Sequence, residues 1–283
     1  MSTSITSGIE QVTPEVAESF LDTMKANRKL STNRVTQLAQ QMKEGLWIFD
    51  GSPIRFNDAG ELVDGQHRMW AIIEAQHTAE FLIVRGVEKK AMATMDTGKS
   101  RSFSDVLGLN NPGLNDLGPI AAFTQLLYRW IDGRRGSALT TGRQGLGQSV
   151  PNGVMLDFFA ENKERIVEVS GRSRTKPYSI RGISASVTAL AIWEFEQIDA
   201  GDMSDFFTKL STGAGLEPDS PILVLRNYVM RAMAGADKRA VIESDLALAL
   251  VFKTWNAYRE GQPMRALAYR RGGANPERFP EPK

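Results

Sequence analysis

The stretch Leu62-Val63-Asp64-Gly65-Gln66-His67-Arg68 decides how the first third of this chain is expected to fold. Its first two residues are apolar and extended, and a helical pattern follows, with Met69, Ile72 and Ile73 at positions i, i+3 and i+4. A strand is therefore predicted to run directly into a helix at Gly65. Main-chain amides and the positive end of the dipole make a helix N-terminus an anion site, and a glycine lets a phosphate approach the backbone closely.

The side chains of this stretch suit the same ligand. Arg68 offers a planar guanidinium that matches phosphate oxygens, and His67 can donate a hydrogen bond or transfer a proton near neutral pH. The structural alternative is that Asp64 only caps the helix, Arg68 pairs with a surface acid and His67 packs. The residues alone leave both interpretations open.

A hairpin is predicted immediately before this stretch. The extended segments Pro53-Ile54-Arg55-Phe56 and Glu61-Leu62-Val63 flank Asn57-Asp58-Ala59-Gly60, whose Asx and Gly residues are typical of a turn. After the helix, the run Phe81-Leu82-Ile83-Val84 predicts a buried strand.

Two amphipathic helices are expected to precede the first strand. Thr13-Pro14-Glu15 has the N-cap, first-turn proline and acid of a helix start. A second helix is expected to begin at Ser31 to Asn33 and to end at Gly45.

The rest of the chain has helical patterns. Residues Gly108 to Pro119 hold three glycines, two prolines and three asparagines, which indicates a loop or domain boundary. Helices are predicted over Ile120–Ile131, Val154–Val169, Ser184–Ile198, Met203–Leu210, Pro221–Met233 and Arg239–Tyr258. The expected fold class is α+β, a small mixed sheet with helices followed by a mostly α-helical domain, with domains at 1–109 and 119–283.

The amino-acid composition excludes several kinds of site and partner. The chain has no cysteine and two histidines, which excludes disulfides, thiolate zinc sites and thiol catalysis and argues against a transition-metal site. With 34 basic and 33 acidic residues, the net charge of +1 gives no global attraction to nucleic acid. The N-terminus has neither the basic flank nor the apolar run of a signal peptide, and no stretch approaches the ~20 apolar residues of a membrane span, so we expect a cytoplasmic protein with no membrane partner.

On these motifs, the run from Asn27 to Leu107 resembles the N-terminal domain of ParB-like proteins. In that family a hairpin leads into a phosphate-binding motif of the Gly-Glu-Arg-Arg or Asp-Gly-Gln-His-Arg type. The second form also occurs in DndB-like regulators of DNA modification, and sulfiredoxin has a related Gly-Cys-His-Arg motif that binds ATP. The resemblance implies a ParB/sulfiredoxin-like nucleotide-binding domain over residues 1–109, with Asp64, Gly65, Gln66, His67 and Arg68 at its phosphate site.

A second block, Asp96-Thr97-Gly98-Lys99-Ser100-Arg101-Ser102, lies where ParB proteins carry a Glu-Asn-x-Gln-Arg motif that contacts triphosphate and magnesium. The resemblance implies that Asp96 holds the metal and that Thr97, Gly98, Lys99 and Arg101 surround the phosphates. The alternative is an exposed turn leading into a helix from Phe103 to Leu107, capped by Ser102 or Ser104.

Several other enzyme classes are disfavoured. Ala93 to Ser100 fits a relaxed Walker A pattern, but it lacks the initial glycine and the apolar strand directly before the loop. The chain also has no Gly-x-Ser-x-Gly elbow for a serine hydrolase and no distinctive acid pair for a glycosidase.

The leading expectation is a protein that binds a nucleoside triphosphate, CTP or ATP, with Mg²⁺ in a DNA-linked process. If it is a nucleoside triphosphatase or a phosphoryl-transfer enzyme, Asp96 would hold magnesium while His67 and Arg68 stabilise the phosphoryl charge. The alternatives are a non-catalytic DNA-binding regulator or DNA-modification accessory protein and, ranked lower, a ParB-like nuclease. Such a chain would suit a phage or mobile element.

The expected partners are the nucleotide, DNA, and a second copy of the chain in a homodimer. DNA would be bound through basic clusters of the helical domain, which are Arg172, Arg174, Lys176 and Arg181, and Arg265, Arg270 and Arg271. The alternative for these clusters is a solvated surface. Trp47 could stack on a base, although a core position is favoured.

Overall fold

The computed structural model describes residues 5–25, 30–88, 102–139, 150–237, 240–272 and 275–283. Contacts divide the chain into two compact units. The first comprises Met1–Ser100 with Leu146–Pro151, and the second comprises Arg101–Gly145 with Asn152–Lys283.

The first unit combines a mixed sheet with helices. Its elements are β1 Thr6–Val12, α1 Pro14–Asp22, α2 Thr32–Lys43, β2 Ile54–Asn57, β3 Leu62–Asp64, α3 Gln66–Ala75 and β4 Ala79–Val87. The strand order is β1-β4-β2-β3. Strand β4 pairs antiparallel with β1 and parallel with β2, and β2 pairs antiparallel with β3. The expected small mixed sheet is therefore confirmed.

The expectation that two helices precede the first strand is wrong, because β1 comes before α1. The segment Thr6–Val12 is exposed along most of its length, and Ile9 is 60% exposed. Its seven residues, Thr-Ser-Gly-Ile-Glu-Gln-Val, do not alternate between apolar and polar as a half-buried strand does. This strand is defined by its pairing with β4, far along the chain, rather than by its own sequence pattern.

The hairpin prediction is confirmed, and Asn57 organises its turn. The side-chain oxygen of Asn57 accepts hydrogen bonds from the backbone N–H groups of Ala59 and Glu61 at 3.0 and 2.8 Å. Its amide nitrogen donates to the Glu61 carboxylate at 2.9 Å, and Gly60 completes the turn with a φ of 78°. These bonds satisfy a side chain that is only 2% exposed.

The core of the first unit lies between the sheet and its helices. Helices α1 and α2 both contact α3. The buried residues that form this core are Val12, Ala17, Val35, Leu38, Ala39, Met42, Ile54, Phe56, Leu62, Met69, Ala71, Ile72, Ala79, Phe81 and Ile83. Trp47 packs against them, with its ring 5.3 Å from that of Phe81, which confirms the core interpretation of this tryptophan.

The described part of the second unit is helical. Its α-helices are α4 Phe103–Asn110, α5 Leu117–Ile131, α6 Asn152–Glu161, α7 Lys163–Arg172, α8 Ala185–Ile198, α9 Ala200–Thr212, α10 Pro221–Ala232 and α11 Ser244–Arg259. The single helix predicted over Val154–Val169 is two helices, which separate at Asn162. The apolar periodicity continues across Asn162, so the pattern alone did not reveal the break.

Aromatic packing holds this unit together around α8 and α11. Phe195 stacks on Trp255 with ring centroids 4.0 Å apart, and Phe206 meets the same indole edge-on at 5.7 Å. Both phenylalanines and the tryptophan are fully buried. Among the residues that the structure describes, no helix combines the length and apolar character needed to cross a bilayer.

The helix α4 packs against α5 and α6. It begins with a capping box in which Ser102 accepts a hydrogen bond from the backbone of Asp105, and the Asp105 carboxylate accepts one from the backbone of Ser102. Of the two caps predicted, the structure uses Ser102. The domain boundary predicted after residue 109 falls at the end of this helix, whereas the contacts assign the helix to the second unit.

The turn predicts a specific loss of stability. We expect Asn57→Ala to lower the free energy of unfolding by about 1–3 kcal/mol, because two backbone N–H groups lose their acceptor beside a buried position. The neighbouring Asp58→Ala is the control, since Asp58 is exposed, and it should change stability by less than ~0.5 kcal/mol. Urea denaturation of both variants measures the difference, and equal losses would contradict this role of Asn57.

Candidate functional site

Gly65 forms the junction between β3 and α3. It has a φ of 112°, a conformation that other residues rarely adopt, and its carbonyl accepts the N–H groups of Arg68 and Met69 at 2.9 and 3.1 Å. A Cβ at this position would lie 2.5 Å from Cδ1 and 3.2 Å from Cγ2 of Ile54. The missing side chain therefore lets the junction pack directly against the start of β2.

Asp64 lies between two arginines. Arg55 donates to Asp64 Oδ2 at 2.5 Å, and Arg68 Nη2 lies 3.6 Å from the same oxygen. Asp64 is not the helix cap, because Gly65 occupies that position and no side chain caps α3. Arg55 was not predicted as a site residue, although it faces Asp64 directly in the hairpin register and that register could have identified it.

Arg68 attaches the first turn of α3 to the segment before β2. Its two terminal nitrogens donate to the carbonyls of Ser52 and Pro53, each at 2.7 Å. The guanidinium thus bridges two backbone oxygens and an acid. In this arrangement the N–H groups of the Arg68 guanidinium donate to backbone carbonyls of the protein itself.

His67 connects α3 to the start of α2. The backbone N–H of Ser31 donates to His67 Nε2 at 3.0 Å. The side chain is 8% exposed, and the preceding Gln66 is 4% exposed. Because Nε2 accepts this bond, it carries no proton here, and the neutral imidazole has its proton on the other nitrogen.

Among the described residues, positive charge predominates at this end of α3. Two guanidinium groups surround one carboxylate, and the first turn of α3 contains no acidic residue. The N-terminus of a helix adds about half a positive charge. The side chains of Arg55, Asp64 and Arg68 are 30%, 16% and 16% exposed, so solvent screens this field less than it would at an open surface.

The second predicted block lies outside the described residues. This applies to the metal ligand Asp96 and to the phosphate contacts Thr97, Gly98, Lys99 and Arg101. Within the ranges that the structure describes, no group of three or more His, Asp and Glu side chains is arranged to hold a metal ion. The roles of the second block stay predictions.

Most of the cations in the predicted basic clusters have partners in the second unit. Carboxylates lie close to four of them, in the pairs Arg172–Glu196 at 2.8 Å, Arg174–Asp116 at 2.7 Å, Arg270–Glu277 at 3.4 Å and Arg271–Asp245 at 3.1 Å. Lys176 and Arg181 donate to Ser211 and to the Ala236 carbonyl, both at 3.4 Å, and Arg265 is exposed. Ion pairing leaves these clusters less positive than their sequence indicates.

Substitutions at Gly65 and Gly60 distinguish the cost of backbone strain from the cost of a packing clash. We expect Gly65→Ala to destabilise the protein by about 2–4 kcal/mol, since it combines an unfavourable φ with a clash on Ile54. Gly60→Ala is the matched control, because Gly60 also has a positive φ but a Cβ there meets open space, and its cost should be ~1 kcal/mol.

Ile54→Val removes the atom that lies 2.5 Å from the added methyl group. In a double-mutant cycle followed by urea denaturation, this change should recover part of the Gly65→Ala loss. Additive effects of the two substitutions would contradict the packing role of Gly65.

The acceptor role of His67 can be tested against the other histidine. We expect His67→Leu to cost about 1–3 kcal/mol, because the Ser31 N–H loses its acceptor, whereas His67→Gln keeps an acceptor and should cost less. His77→Leu is the control and should have an effect within ~0.5 kcal/mol. If the two leucine variants are equally stable in thermal and urea unfolding, His67 does not fasten α3 to α2.

Comparisons with known proteins identify neither a family nor a function for this site. No protein-family model matches the chain. No curated protein matches it either. A solved structure described as the C2221 form of a Pnob8-like ParB-N domain aligns with 83% of this chain and 99% of its own, at 13% identity and a TM-score of 0.23. At this TM-score the likeness is too weak to support an inference about fold or function.

Proposed function

We propose that the chain binds a nucleoside triphosphate with Mg²⁺, and that the phosphates lie at the N-terminus of α3. The observation that carries this proposal is the junction at Gly65, where strand β3 is followed directly by helix α3. Arg55 and Arg68 lie on either side of Asp64 at this junction. The Asp-Gly-Gln-His-Arg motif and its preceding hairpin, which resemble those of ParB-like proteins, support the same ligand.

The charge balance favours a polyanion. Among the described residues, Arg55 and Arg68 place two cations beside the one carboxylate of Asp64, and the positive end of the helix dipole adds to them. A triphosphate would be drawn to the main-chain N–H groups of the first turn, which helix geometry directs away from the helix body. Asp64 would then orient both guanidinium groups and limit the repulsion between them.

The bonds made by His67 and Arg68 argue for positioning rather than for chemistry. His67 Nε2 accepts from Ser31, and Arg68 donates to Ser52 and Pro53. A direct role in phosphoryl transfer would require these side chains to give up those bonds. This geometry favours a non-catalytic nucleotide switch over a nucleoside triphosphatase, and the resemblance to ParB-like proteins supports a role for such a switch in a DNA-linked process.

The remaining phosphate and metal contacts are assigned to the second block. In this proposal Asp96 holds Mg²⁺, while Lys99 and Arg101 neutralise the outer phosphates, with Thr97 and Gly98 contributing backbone contacts. A bound Mg²⁺ would neutralise part of the triphosphate charge. Arg68→Ala is a poor test of binding, because it also releases the Ser52–Pro53 segment from α3.

The test is a titration of the full chain with each of the four nucleoside triphosphates, with and without Mg²⁺, by calorimetry and thermal shift. A ligand at 100 times its Kd should stabilise the protein by ~2.7 kcal/mol. The Lys99→Ala/Arg101→Ala variant should bind at least ~100-fold more weakly, since each of the two lost charge-assisted contacts removes ~1.5 kcal/mol or more. Asp96→Asn should abolish the effect of Mg²⁺ on binding.

Lys43→Ala is the matched control, because Lys43 is an exposed cation at the far end of α2 from Ser31. It should bind with unchanged affinity. Absence of stabilisation by any nucleotide would refute the proposal. Binding without phosphate release would identify a regulator, steady release would identify a nucleoside triphosphatase, and Mg²⁺-dependent DNA cleavage without nucleotide would identify a nuclease.

A further inference from the structure

Strand β1 is an edge of the four-stranded sheet. It pairs with β4 on one side, and in the part of the chain that the structure describes no strand pairs with its other side. The pairing with β4 is regular over seven consecutive residues, from Thr6 opposite Arg85 to Val12 opposite Ala79, without a bulge. The backbone groups that point away from β4 therefore form an unbroken row of donors and acceptors along this edge.

The opposite edge of the sheet is protected in ways that β1 is not. Strand β3 spans only Leu62–Asp64, its pairing with β2 shifts register, and its Asp64 carboxylate engages two arginines. Short length, irregular pairing and charge are features that keep an edge strand from pairing with another chain. Strand β1 is seven residues long and regular, and it contains neither lysine nor proline.

The one charged residue of β1 is already paired within the chain. The Glu10 carboxylate accepts two hydrogen bonds from the Arg85 guanidinium of β4, one of them 3.0 Å long. This ion pair leaves no net charge on the strand that would repel another strand. The middle residue of β1, Ile9, is apolar and 60% exposed.

Gly8 is consistent with the close approach of a second backbone. It does not have a positive φ, and a Cβ at this position would meet no described atom within 4 Å. The described fold of one chain therefore does not require a glycine here. A glycine inside a strand weakens that strand, and it often marks a place where another backbone comes close.

We propose that β1 pairs antiparallel with β1 of a second copy of this chain, with a two-fold axis at Ile9, so that the two sheets join into one. This register pairs all seven residues of both strands. Ile9 faces its own copy, and the other pairs, each formed twice, are Gly8 with Glu10, Ser7 with Gln11, and Thr6 with Val12.

A second copy is the occupant that the pattern of β1 fits. In a symmetric antiparallel pair one residue lies on the two-fold axis and meets its own copy, so its side chain must tolerate itself. Glu10 on the axis would oppose two carboxylates, whereas Ile9 on the axis opposes two β-branched apolar side chains. Moving the axis to any other residue also leaves fewer residues paired. The register with the most pairs is thus one without opposed like charges.

The first experiment measures the oligomeric state of the full chain, without nucleotide, by sedimentation equilibrium. The range is about 1 to about 500 µM, because an interface this small should be weak. The wild type should dimerise, and Ile9→Lys should weaken dimerisation at least ten-fold by opposing two lysines on the axis. Ile9 is exposed, so this variant should keep the far-UV circular dichroism of the wild type. Ile131→Lys is the matched control, since Ile131 is 58% exposed on α5, and it should dimerise with unchanged affinity.

The second experiment tests the register with single cysteines, which the cysteine-free chain makes possible. Under mild oxidation Ile9→Cys should form a disulfide-linked dimer at least ten-fold faster than Ser7→Cys or Gln11→Cys. In the proposed register the two copies of residue 7, and those of residue 11, lie about 13 Å apart, too far for a disulfide. A mixture of Ser7→Cys and Gln11→Cys should instead crosslink one variant to the other.

Three results overturn the inference. One is a wild type that stays monomeric over the whole concentration range, in which case the open edge is left for a strand of another protein. Another is equal weakening by Ile9→Lys and Ile131→Lys. The third is an equal crosslinking rate for the three cysteine variants. Because no nucleotide is present, none of these results bears on the site proposed at α3.

Discussion

The contact between Gly65 and Ile54 is the constraint on which the first unit depends. Ile54 begins β2, is fully buried and pairs with Ile83 of the neighbouring parallel strand β4. With no side chain at position 65, the chain can turn from β3 into α3 directly over this isoleucine. A larger residue at position 65 would push the start of α3 away from Ile54. Because α1 and α2 both pack against α3, that shift would disturb the packing of all three helices.

The motif around Gly65 has a structural and an electrostatic role at once. Arg68 and His67 attach α3 to segments that lie 15 and 36 positions away in the chain, and the same arginine contributes to the positive field at the helix N-terminus. Loss of binding in a variant of these residues would therefore report on folding as much as on a ligand. Residues 96 to 101 make up the rest of the proposed site, and substituting them leaves His67 and Arg68 themselves in place.

The sequence predicted correctly those features that depend on interactions between residues close together in the chain. The cap at Thr13, the turn at Asn57 and the strand-to-helix junction at Gly65 were recovered because each depends on residues within a few positions. The edge strand β1 was missed because it exists through its partner β4, which is some 70 positions away. The acceptor role of His67 was missed for the same reason, since its donor Ser31 lies at the N-cap of another helix, 36 positions earlier in the chain.

Positively charged surfaces were harder to predict from the sequence, because the effect of a cation depends on whether an acid pairs with it rather than on the number of cations nearby. The arginine-rich segments near residues 172 and 271 indicate positive surfaces in the sequence, yet in the structure most of these cations lie beside acids from other elements. An anion responds to the local excess that remains after pairing. Among the residues that the structure describes, such an excess remains at the start of α3, where Arg55 and Arg68 lie on either side of Asp64.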